Sequence, residues 1–447
     1  MAEQLRKLSK QAAAIIHSLP QTTCIRVISH YDADGITAAA ILFQALYREG
    51  YDVHVSLMRN PFTKGLERVR QEENEVVIFA DMGSGQLNMI EQFSGTSIII
   101  DHHQALTQKT SKNILQINAH LCGINGSYEA CGSSLSFAVA KSLNTQNIDL
   151  APLALAGMAG DKQYIGGIRG YNKTVVDEAV QHNLVTEKIG IKLYGDSLED
   201  ALYYAADPYY SGLSGNKQGL SDTMQRIGLS GSMQLDDLST EQQRTLHSWL
   251  LLTLIKKDCQ HNILDTVIRP RYWSDTVHGE TERFADLLDA CGKGGKRGLG
   301  LRVCLGDGDA FKEALQHEQE YKTKILQSLV ALEKEGVEEK KSIRYFYATD
   351  SSLGGVIGGI AMNYILDGEK PLFSLVRSDD ELHVSSRATQ HLVQKGLDLG
   401  VAMKEAATVF EGHGGGHAIA AGATINAHHE EAFLGQVDTI IAKQLKG

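Results

Sequence analysis

The sequence predicts an α/β protein with an N-terminal and a C-terminal α/β domain, separated by an inserted, mainly helical region. Apolar runs at Cys24-Ile-Arg-Val-Ile-Ser29, Glu75-Val-Val-Ile-Phe-Ala80 and Thr96-Ser-Ile-Ile-Ile100 read as buried strands. They alternate with helix-period segments, the pattern of a mostly parallel sheet with helices on both faces. A long middle stretch lacks that alternation, and the last ~105 residues return to it.

In order, Met1-Ala-Glu-Gln-Leu-Arg-Lys-Leu-Ser-Lys10 opens a polar amphipathic helix without the charged start and apolar core of a secretion signal. The first strand ends in His30-Tyr-Asp32-Ala-Asp34-Gly35, where three metal-type ligands at alternate positions project from a tight turn. Gly35 is expected to let the backbone enter helix 36–49. Strand 51–57, helix 62–72 and strand 75–80 follow, the last running into Asp81-Met-Gly83-Ser-Gly85. Strand 96–100 ends in Asp101-His102-His103, and a helical pair at 132–143 and 149–160 closes in Gly160-Asp161-Lys162. Residues 1–185 make the first domain. Residues 186–310 show helical segments with Gly/Ser/Asn breaks and end in a basic loop, Gly292-Lys-Gly-Gly-Lys-Arg297-Gly-Leu-Gly300-Leu-Arg302. A long polar helix at 311–338 forms a connector over 311–340. The second domain, 341–447, reads as strand 342–348, helix 356–366, a hairpin through 373–376 and 382–386, and helix 391–410. A glycine-rich turn from Gly412 to Gly422 and a terminal helix at 429–445 complete it.

Composition narrows the function. At 447 residues, 43% hydrophobic and 22% charged, the chain is globular and long enough for two or three domains. A net charge of −11 argues against a broadly basic nucleic-acid coat, leaving a local basic groove and metal ions as the means of holding a polyanion. The cysteines (24, 122, 131, 259, 291, 304) form no C-x-x-C pair, which argues against a zinc ribbon or redox motif and suits a reducing cytoplasm. No stretch reaches the ~18–20 apolar residues that span a bilayer, so neither secretion nor membrane insertion is expected.

Three strands and one helix therefore end in His30, Asp32, Asp34, Asp81, Asp101, His102, His103 and Asp161. In open α/β sheets the ligand crevice lies at the carboxyl ends of the strands, so the position is as informative as the residue types. Aspartate is also a good helix N-cap, which would account for one such turn alone. Four acid-ended elements point instead to a site. The set can supply two divalent ions with one shared carboxylate, and mixed carboxylate and imidazole donors favour manganese over magnesium. The expected chemistry is in-line attack by activated water on a phosphorus centre.

These residues resemble the four ordered motifs of the DHH phosphoesterase superfamily: His30-x-Asp32-x-Asp34-Gly35, Asp81, Asp101-His102-His103 and Asp161. The superfamily includes RecJ exonucleases, nanoRNases and family II pyrophosphatases. Gly414-Gly415-Gly416-His417, with Ser385-Ser-Arg387 before it, is similar to the substrate-binding DHH-associated domain. The resemblance implies that His30 and Asp32 hold one metal, Asp34 and His102 the other, that Asp81 bridges them and Asp161 completes the site. It places His103 beside the scissile phosphate and Asp101 behind the histidines, orienting them. Arg387 and the 414–417 loop would fix the terminal nucleotide across a cleft between the two α/β domains. His30, where RecJ-type first motifs often begin with Asp, points to the archaeal RecJ-like branch. Asp207-Pro-Tyr-Tyr and Phe284-Ala-Asp-Leu-Leu-Asp resemble segments of that branch, which includes a nuclease joined to GINS in the replisome.

The implied activity is a cytoplasmic, two-metal, single-strand-specific exonuclease releasing mononucleotides from DNA or RNA, using Mn²⁺ with Mg²⁺ or Co²⁺ as substitutes. A GINS-like partner could dock on the insertion. The alternatives are a nanoRNase or cyclic-dinucleotide phosphodiesterase, which needs no long insertion, and a non-catalytic replisome scaffold. Lys293, Lys296, Arg297 and Arg302 read equally well as a solvated loop or a backbone contact.

Overall fold

The computed structural model describes residues 2–58, 64–105, 111–257 and 259–446. Helix α1 (Ala2–His17) buries Leu5, Ala12, Ala13 and Ile16 and leads into β1 (Cys24–His30). Then come α2 (Ala33–Arg48), β2 (Asp52–Met58), α3 (Lys64–Gln71), β3 (Val76–Ala80), α4 (Leu87–Ile90), β4 (Thr96–Asp101) and β5 (Ile114–Asn118). The start expected for helix 62–72 lies outside the described residues. Strands β3 and β4 are apolar and buried nearly throughout, because the sheet is covered on both faces. All five strands are parallel, in the order β2-β1-β3-β4-β5. Register sets Ser29 beside Ala80 and Ala80 beside Ile100. The residues that follow, His30, Asp81 and Asp101, therefore line up along one carboxyl edge.

Helices α5 (Gly132–Leu143), α6 (Ala151–Gly160) and α7 (Gly170–Gln181) complete this core. The sequence-based helix start at 36 is too late. Asp34 and Gly35 already lie in the first turn of α2, with Asp32 as N-cap accepting from Gly35 N at 3.1 Å. Gly35 is required by space rather than by an unusual backbone angle, since a Cβ there would lie 2.4 Å from the His30 carbonyl oxygen.

By contacts the chain divides into two compact units, residues 1–190 with 269–319 and residues 191–268 with 320–447. Part of the stretch read as an insertion, 269–310, thus belongs with the first unit. The inserted region is not purely helical. Strand β6 (Thr186–Ile191) precedes helices α8 (Leu198–Tyr203), α9 (Lys217–Ile227), α10 (Thr240–Ile255) and α11 (His261–Leu264). Strands β7 (Ile268–Ser274) and β8 (Gly279–Glu280) then join β6 in a three-stranded sheet. The expected basic loop is instead the end of α12 (Thr281–Lys293), a short turn and α13 (Arg297–Cys304). Helix α12 packs on the turn after β1: Asp289 Oδ1 accepts from Ala33 N at 2.8 Å, and Gly292 lies against the Tyr31 carbonyl.

Helix α14 (Gly308–Glu335) runs from the first unit into the second. There β9 (Glu338–Glu339), β10 (Arg344–Tyr347), α15 (Ser351–Tyr364), β11 (Leu372–Ser378) and β12 (Glu381–Arg387) are followed by α16 (Gln390–Gln394) and α17 (Leu399–Val409). The single helix expected over 391–410 is broken at Gly396, whose φ is +100°. The glycine run is a strand rather than a turn: β13 (His413–Gly416) pairs with β14 (Ala420–Asn426), and α18 (Glu430–Gln444) closes the chain. The sheet order is β13-β14-β12-β11-β10-β9 over a core that includes Phe373, Leu375, Met403 and Phe433.

Gly292 offers a test of this packing. Alanine in a helix is favoured over glycine by about 1 kcal/mol, whereas a Cβ at 292 would lie 1.8 Å from the Tyr31 oxygen. Forced shifts of this kind cost about 1–3 kcal/mol. Gly292→Ala is expected to lower the thermal midpoint despite its better propensity; a raised midpoint in a thermal melt would show that α12 does not clamp the turn.

Candidate metal centre

The carboxyl edge of β1, β3 and β4 collects every ligand the sequence singled out. His30 Nδ1 lies 2.8 Å from Asp32 Oδ2 and 3.5 Å from Asp81 Oδ2. The other Asp81 oxygen lies 3.1 Å from His102 Nε2. His102 Nε2 in turn is 3.3 Å from Asp161 Oδ2 and 3.9 Å from Asp34 Oδ2. Three overlapping groups result, His30 with Asp32 and Asp81, Asp81 with His102 and His103, and Asp34 with His102 and Asp161, the ligand atoms of each lying within 4.8 Å of one another. Asp81 belongs to the first two. It holds φ at +56°, a left-handed conformation that aspartate tolerates better than most residues.

Backbone donors fix most of these side chains. Gly132 N and Ser133 N, at the start of α5, donate to the two oxygens of Asp34 at 2.6 and 2.8 Å. Asp101 Oδ1 accepts from His102 N at 2.8 Å and His103 N at 3.1 Å, and Oδ2 accepts from Ser84 N at 2.9 Å. Its Oδ1 also meets His103 Nδ1 at 2.8 Å, so of the two histidine rings it orients that of His103. The His102 ring is oriented otherwise. Its Nδ1 lies 2.6 Å from the Gly126 carbonyl, which leaves Nε2 for the cluster. That carbonyl also accepts from Gln163 Nε2 at 2.9 Å, and Gln163 Oε1 accepts from Asn172 Nδ2 at 2.6 Å. Asn118, at the end of β5, donates to the His103 carbonyl at 2.8 Å.

Sequence reasoning missed Asn118, Gly126, Gln163 and Asn172, and it quoted Asp289 only as part of the Phe284–Asp289 segment, without a role. Asn118 had a signal, since it too ends a strand, but β5 itself went unseen. Gln163 lies two residues past Asp161 and carries no metal-ligand chemistry of its own. The candidate substrate residues lie in the second unit. Register pairs Arg387 with Ala420, and His417 N donates to Ala420 O at 2.8 Å, so one end of the sheet carries both. Gly414 is needed for packing, because a Cβ there would approach the Met403 carbonyl to 2.3 Å. Arg387 Nη1 donates to the Ser386 carbonyl at 2.9 Å.

The charges favour cations. Burial, then the carboxylate of Asp81, pushes Asp34 up to about 6. Burial and the charge of Asp34 raise Asp161 well above the usual carboxylate range. Burial alone would lower His30 and His102, yet the surrounding carboxylates outweigh it and raise both. His30 Nδ1 and Asp81 Oδ1 are shut off from solvent and are not in hydrogen-bond alignment with the neighbours at ion-pair distance. Crowded carboxylates and orphaned donor atoms fit divalent ions held by mixed oxygen and nitrogen ligands.

Residues 24–158 match the DHH family, N-terminal domain, and residues 342–443 match the DHHA1 domain. An uncharacterized protein of Methanocaldococcus jannaschii is 31% identical over 456 aligned residues, covering the whole of both chains. The chain belongs to the DHH family. Within that family of phosphoesterases it is RecJ-like. The single-stranded-DNA-specific exonuclease RecJ of Thermus thermophilus is 25% identical over 207 residues, 43% of this chain and 30% of that one. The crystal structure of RecJ with Mn²⁺ from the same organism superposes with a TM-score of 0.62 at 18% identity, covering 98% of this chain and 55% of RecJ. The chain thus spans about half of that RecJ. CDC45 from Entamoeba histolytica gives a TM-score of 0.66 at 13% identity over 99% of this chain and 98% of that one. At these identities the structural likeness is one of fold. This DHH-family chain has no helix, among its described residues, long and apolar enough to cross a membrane.

Divalent binding to the DHH cluster is expected to strengthen with pH, because the ligands shifted upward, Asp34, Asp161, His30 and His102, must shed a proton first. Asp34 is raised to about 6, so its contribution to stability is full below its unfolded value and is lost as pH rises through about 6. A cation restores it. The Mn²⁺-induced rise in thermal midpoint should therefore be small near pH 5 and grow toward about pH 8, reaching roughly 3 kcal/mol of stabilisation at hundredfold saturation. Asp34→Asn should flatten the dependence. A thermal shift that does not change with pH would contradict the assignment.

Proposed function

We propose that the protein is a metal-dependent exonuclease that removes mononucleotides from an end of single-stranded DNA or RNA. The observation that supports this most is that Asp81 belongs to two ligand groups, one with His30 and Asp32 and one with His102 and His103, while His102 links them to Asp34 and Asp161. In this reading His30 and Asp32 hold one ion, Asp34, His102 and Asp161 the other, and Asp81 serves both. Two divalent ions, Mn²⁺ foremost and Mg²⁺ or Co²⁺ in its place, supply an activated water at neutral pH and neutralise charge on the phosphate.

The remaining work falls to the chain's own groups. Burial lowers His103, but Asp101 against its Nδ1 outweighs that and raises it, favouring the protonated ring. His103 is also the most exposed residue of the cluster, its side chain 39% accessible, so it donates from Nε2 to a phosphate oxygen. Arg387, His417 and the backbone N–H groups of 414–416 hold the terminal nucleotide. Asp34, Asp81 and His102 are 1%, 3% and 9% exposed, so a splayed single strand can bring a phosphodiester to them and a stiff duplex cannot. A role in replication or repair, with a GINS-like subunit docked on the inserted helices, belongs to the same proposal.

The test is purified protein with Mn²⁺ and single-stranded DNA and RNA oligonucleotides labelled in turn at each end. Mononucleotides should be lost progressively from one end, and Asp81→Ala should cost more than about 100-fold in rate, since bound metals are worth several kcal/mol. Cleavage confined to dinucleotides or cyclic dinucleotides would transfer the assignment to a small-substrate phosphodiesterase. No cleavage with any divalent ion would favour a scaffold.

A further inference from the structure

The four basic residues between Gly292 and Arg302 look alike in sequence, but the structure separates them. Lys293 pairs with Asp289 at 2.5 Å, Lys296 with Glu313 at 3.1 Å and Arg302 with Asp307 at 2.7 Å. Arg297 makes no ion pair among the described residues. Its guanidinium carbon lies 5.5 Å from the centroid of the Tyr31 ring, and its Nε is closed off from solvent without a hydrogen bond. Tyr31 is the residue between His30 and Asp32, and its ring meets that of His30 edge-on at 4.6 Å. The anchor is rigid, because Gly292 lies against the Tyr31 carbonyl and Asp289 against Ala33 N.

What sets Arg297 apart from other arginines without an ion pair is its place, over the ring of the residue that lies between the candidate ligands His30 and Asp32. The Tyr31 ring lies near one side of the guanidinium, and its two Nη groups are left for a planar or tetrahedral anion. We propose that Arg297, stacked on Tyr31, forms a phosphate subsite at the rim of the metal centre, receiving the backbone phosphate next to the one being cut. This rests on the exonuclease reading. The subsite sets the register of the strand: a phosphate on Arg297 places its neighbour at the cluster, so the two act as adjacent teeth on one backbone.

The measurement is fluorescence anisotropy of a labelled oligothymidylate with Ca²⁺ replacing Mn²⁺, over a salt series, for wild type, Arg297→Ala, Arg297→Gln and Lys296→Ala. Both Arg297 variants should weaken binding about 5- to 30-fold and lower the salt slope by about 0.7, one single-strand phosphate contact. Lys296→Ala removes the same charge from the same segment and should change neither. With Mn²⁺, the Arg297 variants should raise KM while kcat stays within about twofold, the signature of lost uniform binding. Their Mn²⁺ thermal shift should match wild type, which shows an intact centre, and Arg297→Gln retains bulk should alanine loosen the fold. Wild-type affinity and slope in both variants, or equal losses in Lys296→Ala, would overturn the subsite. A wild type that neither binds nor cuts single strands would instead remove the exonuclease reading, and the subsite with it.

Discussion

The first unit depends on holding several carboxylates close together in a buried place without neutralising them with lysine or arginine. A paired guanidinium or ammonium would occupy the position a divalent ion needs, and it would be strongly attached there. The chain uses backbone N–H groups instead. Asp32 accepts from Gly35 N at Oδ1 and turns Oδ2 to His30. Asp34 takes two N–H groups from the start of α5, where the helix dipole also favours negative charge. Asp101 takes three from two loops. Such donors orient a carboxylate and lower the cost of its burial, yet bring no net charge that a cation would have to displace.

Donors of that kind must come very near, which explains glycines that no turn requires. A Cβ on Gly132 would lie 2.5 Å from the Asp81 Cβ, one on Gly157 2.6 Å from an Asp34 oxygen, and one on Gly160 2.7 Å from the Ala33 Cβ. Three glycines on α5 and α6 thus let those helices close on Asp34, its neighbour Ala33 and Asp81. The same device recurs in the second unit, where Gly400 and Gly414 let α17 and β13 approach one another's backbones. Glycine content here records close packing more than flexibility.

How legible the molecule was follows from this. Strand ends followed by acid were readable because burial enforces long apolar runs and the sheet then aligns their termini; Asp161 was readable by the same rule applied to a helix. Strand β5 escaped because Ile114–Asn118 is short and carries a buried glutamine within it. Gly126 and Gln163 escaped because they act through a carbonyl and an amide behind the His102 ring, and such groups leave no compositional mark. The glycine run at 413–416 looked like a turn, since glycine is a poor strand former; pairing with β14 and the nearness of α17 override that preference. The helix N-cap and metal-ligand readings of Asp32 were posed as alternatives, and its two oxygens allow both.

In the proposed exonuclease reading, a net negative chain that handles a polyanion has to concentrate attraction locally. Arg48, Arg269, Arg283 and Arg344 are each committed to carboxylates, and so contribute structure rather than field. What remains to draw in a phosphate backbone is positive charge placed within a few ångströms of where it is needed. Ions held at the sheet edge would act at short range and be screened little when buried. Exposed lysines spread over the surface would bind any stretch of polymer with equal affinity. Confining the attraction to a buried centre would make binding depend on a strand that can be threaded to it, which in the proposed reading is a selection for unpaired, flexible ends.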